Sequence, residues 1–248
     1  MYKEHPAFEK PENENAKIWR YMDFTKFLDL LDKKALFFPR ADKLGDPFEG
    51  SFPRGNVMLR TVTYKINSKD TLQALSEFYK QFRKFTAVSC WHLNKHESAA
   101  MWKLYLKSDE GIAIQSTFNG LKSSFQKEEP SIYIGKVKYL DYEKELMSRE
   151  GSLSAFVHKR KSFKHEEELR AITQSFIRKR NGEINWSKSP FKDGVYVRVN
   201  LDSLVEKVYL APTCPAWQLE LVKSVAKTYE LNKEVIQSQL YDIGKVIY

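Results

Sequence analysis

Glu166 and Glu168 form an E-x-E in the segment KHEEELRAI, directly ahead of an alternating apolar run. A carboxylate fixed at a strand edge can stabilise positive charge that develops in a transition state, provided a rigid element holds it. The same spacing fits a solvated ion-pair face with Arg160, Lys161, Lys164 or Arg170 as partners. Arg20, in KIWRYM, offers a planar fork of donors suited to phosphate or carboxylate. In the DPFEG segment, Pro47 stiffens the backbone and Gly50 permits a turn. Phe48 should anchor that loop in the core, Asp46 should brace it through backbone N–H groups, and Glu49 is left to meet a ligand. His92 and His96 have helical metal-ligand spacing, but Asn94 and Lys95 read as loop and no third ligand follows, so no metal is expected. Trp102 at helical spacing from Tyr105 reads as core, while Tyr105 either finds a hydroxyl partner or lines a pocket. The basic runs KRKSFK from Lys159 and IRKRNG from Ile177 bracket the E-x-E, and suit either a polyanion backbone or a solvated surface. His158 and His165 flank the first run and are expected at the surface.

Regular elements must position these groups. Residues 1–16 are polar and read as a flexible leader. Residues 17–22 read as a strand, after which Asp23 caps a helix with Phe24, Phe27, Leu28 and Leu31 on one face. A strand is expected at 35–39, then a long functional loop, then a helix from Ser68 or Asp70 to about Lys84. Further strands are expected at 85–91, 111–116, 132–140, 168–176, 195–199, 205–210 and 235–240. Further helices are expected at 97–106, 153–161 and 216–230, the last facing inward with Trp217, Leu221, Val222 and Val225. Gly135 marks a bulge, and Asn181-Gly182 a hairpin tip. No repeat or linker divides the chain, so residues 17–248 read as one α+β domain, a mixed and mostly antiparallel sheet with packed helices.

Forty-two per cent apolar residues, with 16 Phe and 13 Tyr, are enough for a sizeable core and argue against disorder. Cys90 and Cys214 show neither zinc nor disulfide spacing, and read as reduced buried thiols. With no signal peptide and no long apolar run, the expected location is cytoplasmic, away from membranes. Forty-one Lys and Arg against 32 Asp and Glu give a formal charge of +9, which favours nucleic acid, another polyanion or an anionic substrate.

The segments WRYMDFTKFLDLL, ALFFPRADKLGDPFEG, VSCWHLNKHESAAMWKLYLKSDEGIAI and FKHEEELRAI, followed by VYLAP, resemble an uncharacterised bacterial family, domain of unknown function 2971. That resemblance spans almost the whole chain from Ile18 and brings no activity with it. At the level of fold, the order of Arg20 on an early strand, Ser89 on a middle strand and Glu166 and Glu168 at a late one is similar to ADP-ribosyltransferases. This likeness implies NAD as co-substrate. Glu168 or Glu166 would bind the nicotinamide ribose and stabilise its oxocarbenium-like charge, and Ser89 would brace the site. Arg20, beside Tyr21, would hold NAD oxygens, and Trp91 or Tyr105 would stack on nicotinamide. Glu49, Lys161, Lys164 and Arg170 are the candidate substrate contacts. The chain departs from the pattern in carrying Val88-Ser89-Cys90-Trp91 where a Ser-Thr-Ser run belongs, with Ser116 and Thr117 as a rival placement. The leading expectation is a transferase or glycohydrolase of this type, of the sort used as a toxin or in phage defence. The alternatives are a non-catalytic, nucleic-acid-binding module and a metal-dependent nuclease using Asp46, Glu49, Glu97 and the E-x-E.

Overall fold

Asp23 ends the first strand and caps the first helix, its Oδ1 accepting from the Lys26 N–H at 2.8 Å. The computed structural model describes residues 1–105, 110–128, 130–148, 150–242 and 244. Its strands are β1 (Lys17–Asp23), β2 (Ala35–Pro39), β3 (Thr86–Leu93), β4 (Gly111–Thr117), β5 (Tyr133–Lys136), β6 (Lys138–Leu140), β7 (His158–Arg160), β8 (Glu168–Gln174), β9 (Gly194–Arg198), β10 (Lys207–Leu210) and β11 (Glu234–Gln237). Its α-helices are α1 (Phe24–Lys33), α2 (Arg54–Met58), α3 (Arg60–Tyr64), α4 (Lys69–Phe82), α5 (Ala99–Tyr105), α6 (Phe118–Ser124), α7 (Leu201–Leu204) and α8 (Ala216–Thr228). The pairs β1–β3, β1–β4, β4–β10 and β5–β8 are antiparallel, and β10–β11 and β6–β7 are parallel. The mixed, mostly antiparallel α+β class is therefore present. Among the described residues no helix is long and apolar enough to cross a membrane.

The chain forms two compact units. The first comprises Met1–Lys10, Phe37–Cys90 and Pro130–Tyr196. Here β8 lies between β5 and the Thr86–Cys90 share of β3, with Gly135 opposite Arg170. The parallel pair β6–β7 sets Tyr139 opposite Lys159. Val88, Phe156, Val157 and Ile172 share one core cluster with Phe8 and Phe82, and Cys90 packs against it. Strand alternation then sends Val88 and Cys90 to one face of β3 and Ser89 to the other.

The second unit comprises Pro11–Leu36, Trp91–Glu129 and Val197–Tyr248. Its strands run in the order β11, β10, β4, β1, followed by the end of β3 from Trp91. All seven residues of β4 are buried, and each pairs with a residue of β1. Helices α1 and α5 pack against β1.

Several expectations are corrected. The opening residues are not a loose leader: Lys3 N donates to Ile132 O, Lys136 N donates to Glu9 O, and Ala7 and Phe8 are buried. An edge strand leaves backbone groups that need partners, and this segment supplies them. The strand expected over 132–140 divides at Val137, whose N–H turns to Glu168 O. The helix expected over 153–161 is a 3-10 turn, Ser154–Phe156, followed by β7, because the Lys138 N–H takes Val157 O and starts a strand there. In α8 the buried stripe is Gln218, Val222 and Ala226, one residue round from the expected face, which leaves Trp217 61% exposed. The expected end of the 97–106 helix, Leu106, lies outside the described residues.

Candidate active site

In the first unit, β8 begins with Glu168 and carries Arg170 two residues on, so both side chains leave the same face. Arg170 extends its fork to Glu49, Nη1 to Oε1 at 2.5 Å and Nη2 to Oε2 at 2.9 Å. Its Nε donates to Glu168 Oε2 at 2.6 Å, and Nη1 also meets Phe156 O at 2.8 Å. Lys159, on β7, bridges the E-x-E, its Nζ donating to Glu168 Oε1 at 2.6 Å and Glu166 Oε2 at 2.5 Å. The Glu168 backbone N–H donates to the Tyr139 hydroxyl at 2.8 Å. Between the two glutamates, Glu167 adopts left-handed backbone angles, φ 41° and ψ 53°. That turn lets residues on a 3-10 segment and on a strand reach one ammonium.

All five charged groups are buried or nearly so, from Arg170 at 1% exposed to Glu166 at 12%. Three carboxyls and two cations share this region, so full ionisation would leave one uncompensated negative charge. Burial, followed by the hydrogen bond and charge of Glu168, pushes the Glu166 carboxyl up to about 7. For Glu168, burial acts upward, but Arg170, the Glu166 hydrogen bond and Lys159 outweigh it and hold the carboxyl well below its ordinary range. Below about pH 7 the pair thus carries a proton on Glu166, which relieves its like-charge contact with Glu168. Chemically this is one anchored anion beside one carboxyl that ionises near neutrality.

The other candidates divide among several places. Glu49 and Arg170 are 3% and 1% exposed and satisfy each other, so neither is presented to a substrate; their chemistry suits mutual pairing in a buried site. Ser89 is fully buried and leaves β3 on the face opposite Val88, whereas Ile172, which shares Val88's cluster, has the parity of Glu168 and Arg170. Ser89 therefore does not brace Glu168. In the second unit, the Arg20 guanidinium lies 5.8 Å from the Trp91 ring. Tyr21 points the other way from β1, stacks on Tyr105 at 6.4 Å, and accepts a hydrogen bond from the Ser98 N–H. Arg20 with Trp91, and Tyr21 with Tyr105, are thus two pairs on opposite faces rather than one nicotinamide cradle. Trp102 is core, as expected, while Tyr105 is 46% exposed.

Asp46 does brace its loop, accepting from the Phe48 N–H at 3.0 Å and from Arg160 at 2.9 Å. Phe48 is not a core anchor: it is 46% exposed with the Arg160 guanidinium 4.0 Å from its ring centre. The first basic run is largely spent, with Lys159 in the buried cluster, Arg160 on Asp46, and Lys161 on Glu145 at 2.6 Å. Lys164 remains exposed. His158 is buried rather than superficial, its Nδ1 2.7 Å from Ser154 O. Among the described residues no three His, Cys, Asp or Glu side chains are grouped to hold a metal ion, and a guanidinium lies between Glu49 and Glu168. The arrangement required of a nuclease is absent there.

No family model and no curated protein matches the chain, so the resemblance to domain of unknown function 2971 rests on its residues. Its fold is similar to Thermus sp. 2.9 DarT in complex with NAD+. The likeness covers 93% of this chain and 98% of that one, at 6% identity and a TM-score of 0.44. It is too distant to assign a role to any residue here.

Nothing in local spacing marks Lys159 or Tyr139 as a partner of the E-x-E. Lys159 opens a run that looks solvated, and Tyr139 reaches the cluster only because β6 runs beside β7. The signal that was present is the alternation Glu168, Arg170, Ile172, which places two charges on an apolar face and so demands buried partners.

Proposed function

We propose that this chain is an NAD-consuming, ADP-ribosyltransferase-like enzyme, a transferase or glycohydrolase, in which Glu166 is the reacting carboxyl and Glu168 its fixed partner. The observation that carries the reading is the E-x-E pair held by Lys159, in which Glu168 has both oxygens engaged and Glu166 keeps the greater exposure and a carboxyl raised to about 7. In the proposed step the bond between ribose C1′ and the nicotinamide nitrogen breaks, and its electron pair leaves with nicotinamide. The positive charge left on the ribose is stabilised by ionised Glu166, and an acceptor or water O–H adds at C1′ and passes its proton to the Glu166 carboxylate. A carboxylate that need not reorganise is effective in this role. Lys159 holds Glu166 in place, and Arg170 fixes its partner Glu168.

Incubation with labelled NAD and candidate proteins, DNA or RNA tests the reading. Turnover should rise as pH passes upward through about 7, where Glu166 ionises, and Glu166→Gln should lower it by at least tenfold with folding intact. Absence of NAD turnover with every acceptor, together with wild-type behaviour of Glu166→Gln and Glu168→Gln in cells, would refute the proposal.

A further inference from the structure

The second basic run is placed differently from the first. Residues 177–185 form a hairpin closed by Lys179 N to Glu183 O at 2.7 Å and Asn185 N to Ile177 O at 2.8 Å, with Gly182 at φ 85° in its tip. Arg178, Lys179 and Arg180 are all exposed on it. Arg178 uses one nitrogen on Gly182 O, and Lys179 has a loose exposed contact to Glu183 at 3.5 Å. Arg180 has no side-chain partner among the described residues, and neither does Lys188 just beyond. Glu183 is the sole acid against Arg178, Lys179, Arg180, Lys188 and Lys192 in residues 176–192.

Directly after the hairpin stands Trp186, 39% exposed. Its ring is nevertheless held, 4.8 Å from Phe78, 5.5 Å from Phe85, and 5.9 Å from Phe82 and Phe176. Phe78 is itself 37% exposed. An aromatic surface fixed by four neighbours loses little freedom when a flat ligand stacks on it, and the cations beside it suit a ligand that repeats negative charge.

We propose that the 177–185 hairpin and Trp186 form a binding face for single-stranded nucleic acid, with a base stacked on the indole and phosphates on Arg178, Arg180 and Lys188. A duplex keeps its base faces covered and cannot use the indole in this way. A bilayer would offer anionic headgroups to the cations but no flat ring to stack on the indole, which favours nucleic acid as the occupant. The site requires neither Glu166 nor NAD, so it stands apart from the enzymatic proposal.

Fluorescence anisotropy with labelled 12-nucleotide DNA and RNA strands, the matching duplexes, and vesicles of phosphatidylserine and phosphatidylcholine would test this. Single strands should bind more tightly than duplex or vesicles, with affinity falling on added salt by a log–log slope of about 0.7 per phosphate neutralised. Arg180→Glu, at an exposed hairpin tip, should weaken binding and flatten that slope. Trp186→Leu should cost about tenfold, and Trp186→Phe should restore part of it. Glu166→Gln should bind as wild type, so that failure here and failure of the catalytic reading are separable. Equal affinity for duplex, binding to vesicles alone, no binding, or indifference to both Arg180→Glu and Trp186→Leu would overturn the proposal.

Discussion

Glu166 keeps its proton to about pH 7 because it is buried beside an anion that cannot take the proton instead. A carboxyl whose folded value is raised binds protons more tightly in the native state, so its contribution is complete below its ordinary 4.5 and is lost as pH rises to about 7. Stability measured by urea titration should therefore fall between pH 5 and 8 by a component on the order of 2 kcal/mol. Glu166→Gln, which preserves a donor toward Glu168, should flatten that slope. Glu168 works in the opposite direction: its lowered carboxyl stabilises the fold above the ordinary range and ceases to do so in acid. The Glu49–Arg170 fork is a second test at this scale. Arg170→Met should cost about 3–5 kcal/mol, since it strands the buried Glu49 carboxylate and leaves Glu168 to Lys159 alone. Combining it with Glu49→Gln should cost less than the two single changes added together, which a double-mutant cycle in urea would read directly.

Short elements fix where those residues point. The left-handed turn at Glu167 is what allows Glu166 and Glu168 to converge on Lys159. Glu167→Val should lower stability by about 1–2 kcal/mol, whereas Glu167→Gly should be neutral or slightly stabilising, as melting curves would show. Much of the scaffold was readable beforehand. β1, β4 and β8 follow from alternation and length, and α1 and α4 from their caps at Asp23 and Ser68. β7 was not readable, because three residues carry too little pattern and their strand form depends on β6. The order of elements alone points to Ser89, and only the parity of Val88 and Ile172 within a shared core reveals which face it takes. The E-x-E was visible as chemistry. Its partners were not, because contacts between Glu49 and Arg170 depend on tertiary folding rather than on local spacing.

For the molecule as a whole, the opening segment Met1–Lys10 matters more than its polar composition suggests. Tyr2 forms a bridge with Ile132, and the Phe8 backbone lies so near Gly135 that a Cβ there would approach to 2.9 Å. Gly135→Ala should accordingly displace this segment. Deleting residues 1–10 would leave the edge of β5 open, and the expected outcome is concentration-dependent self-association in size-exclusion chromatography. A deletion variant that stays monomeric at high concentration would show that this edge needs no cover.

The fork between Glu49 and Arg170 joins positions 121 residues apart. During synthesis from the N-terminus, Glu49 emerges long before its guanidinium exists, and until β8 is made that carboxylate favours water. Burying it early would be unfavourable, so the loop around it should stay open while the rest of the unit assembles, and should close only when β8 arrives in the correct register. A slip of β8 by one residue would turn Arg170 to the wrong face and leave Glu49 unmatched. Closure of the loop around Glu49 is thereby tied to the register of β8.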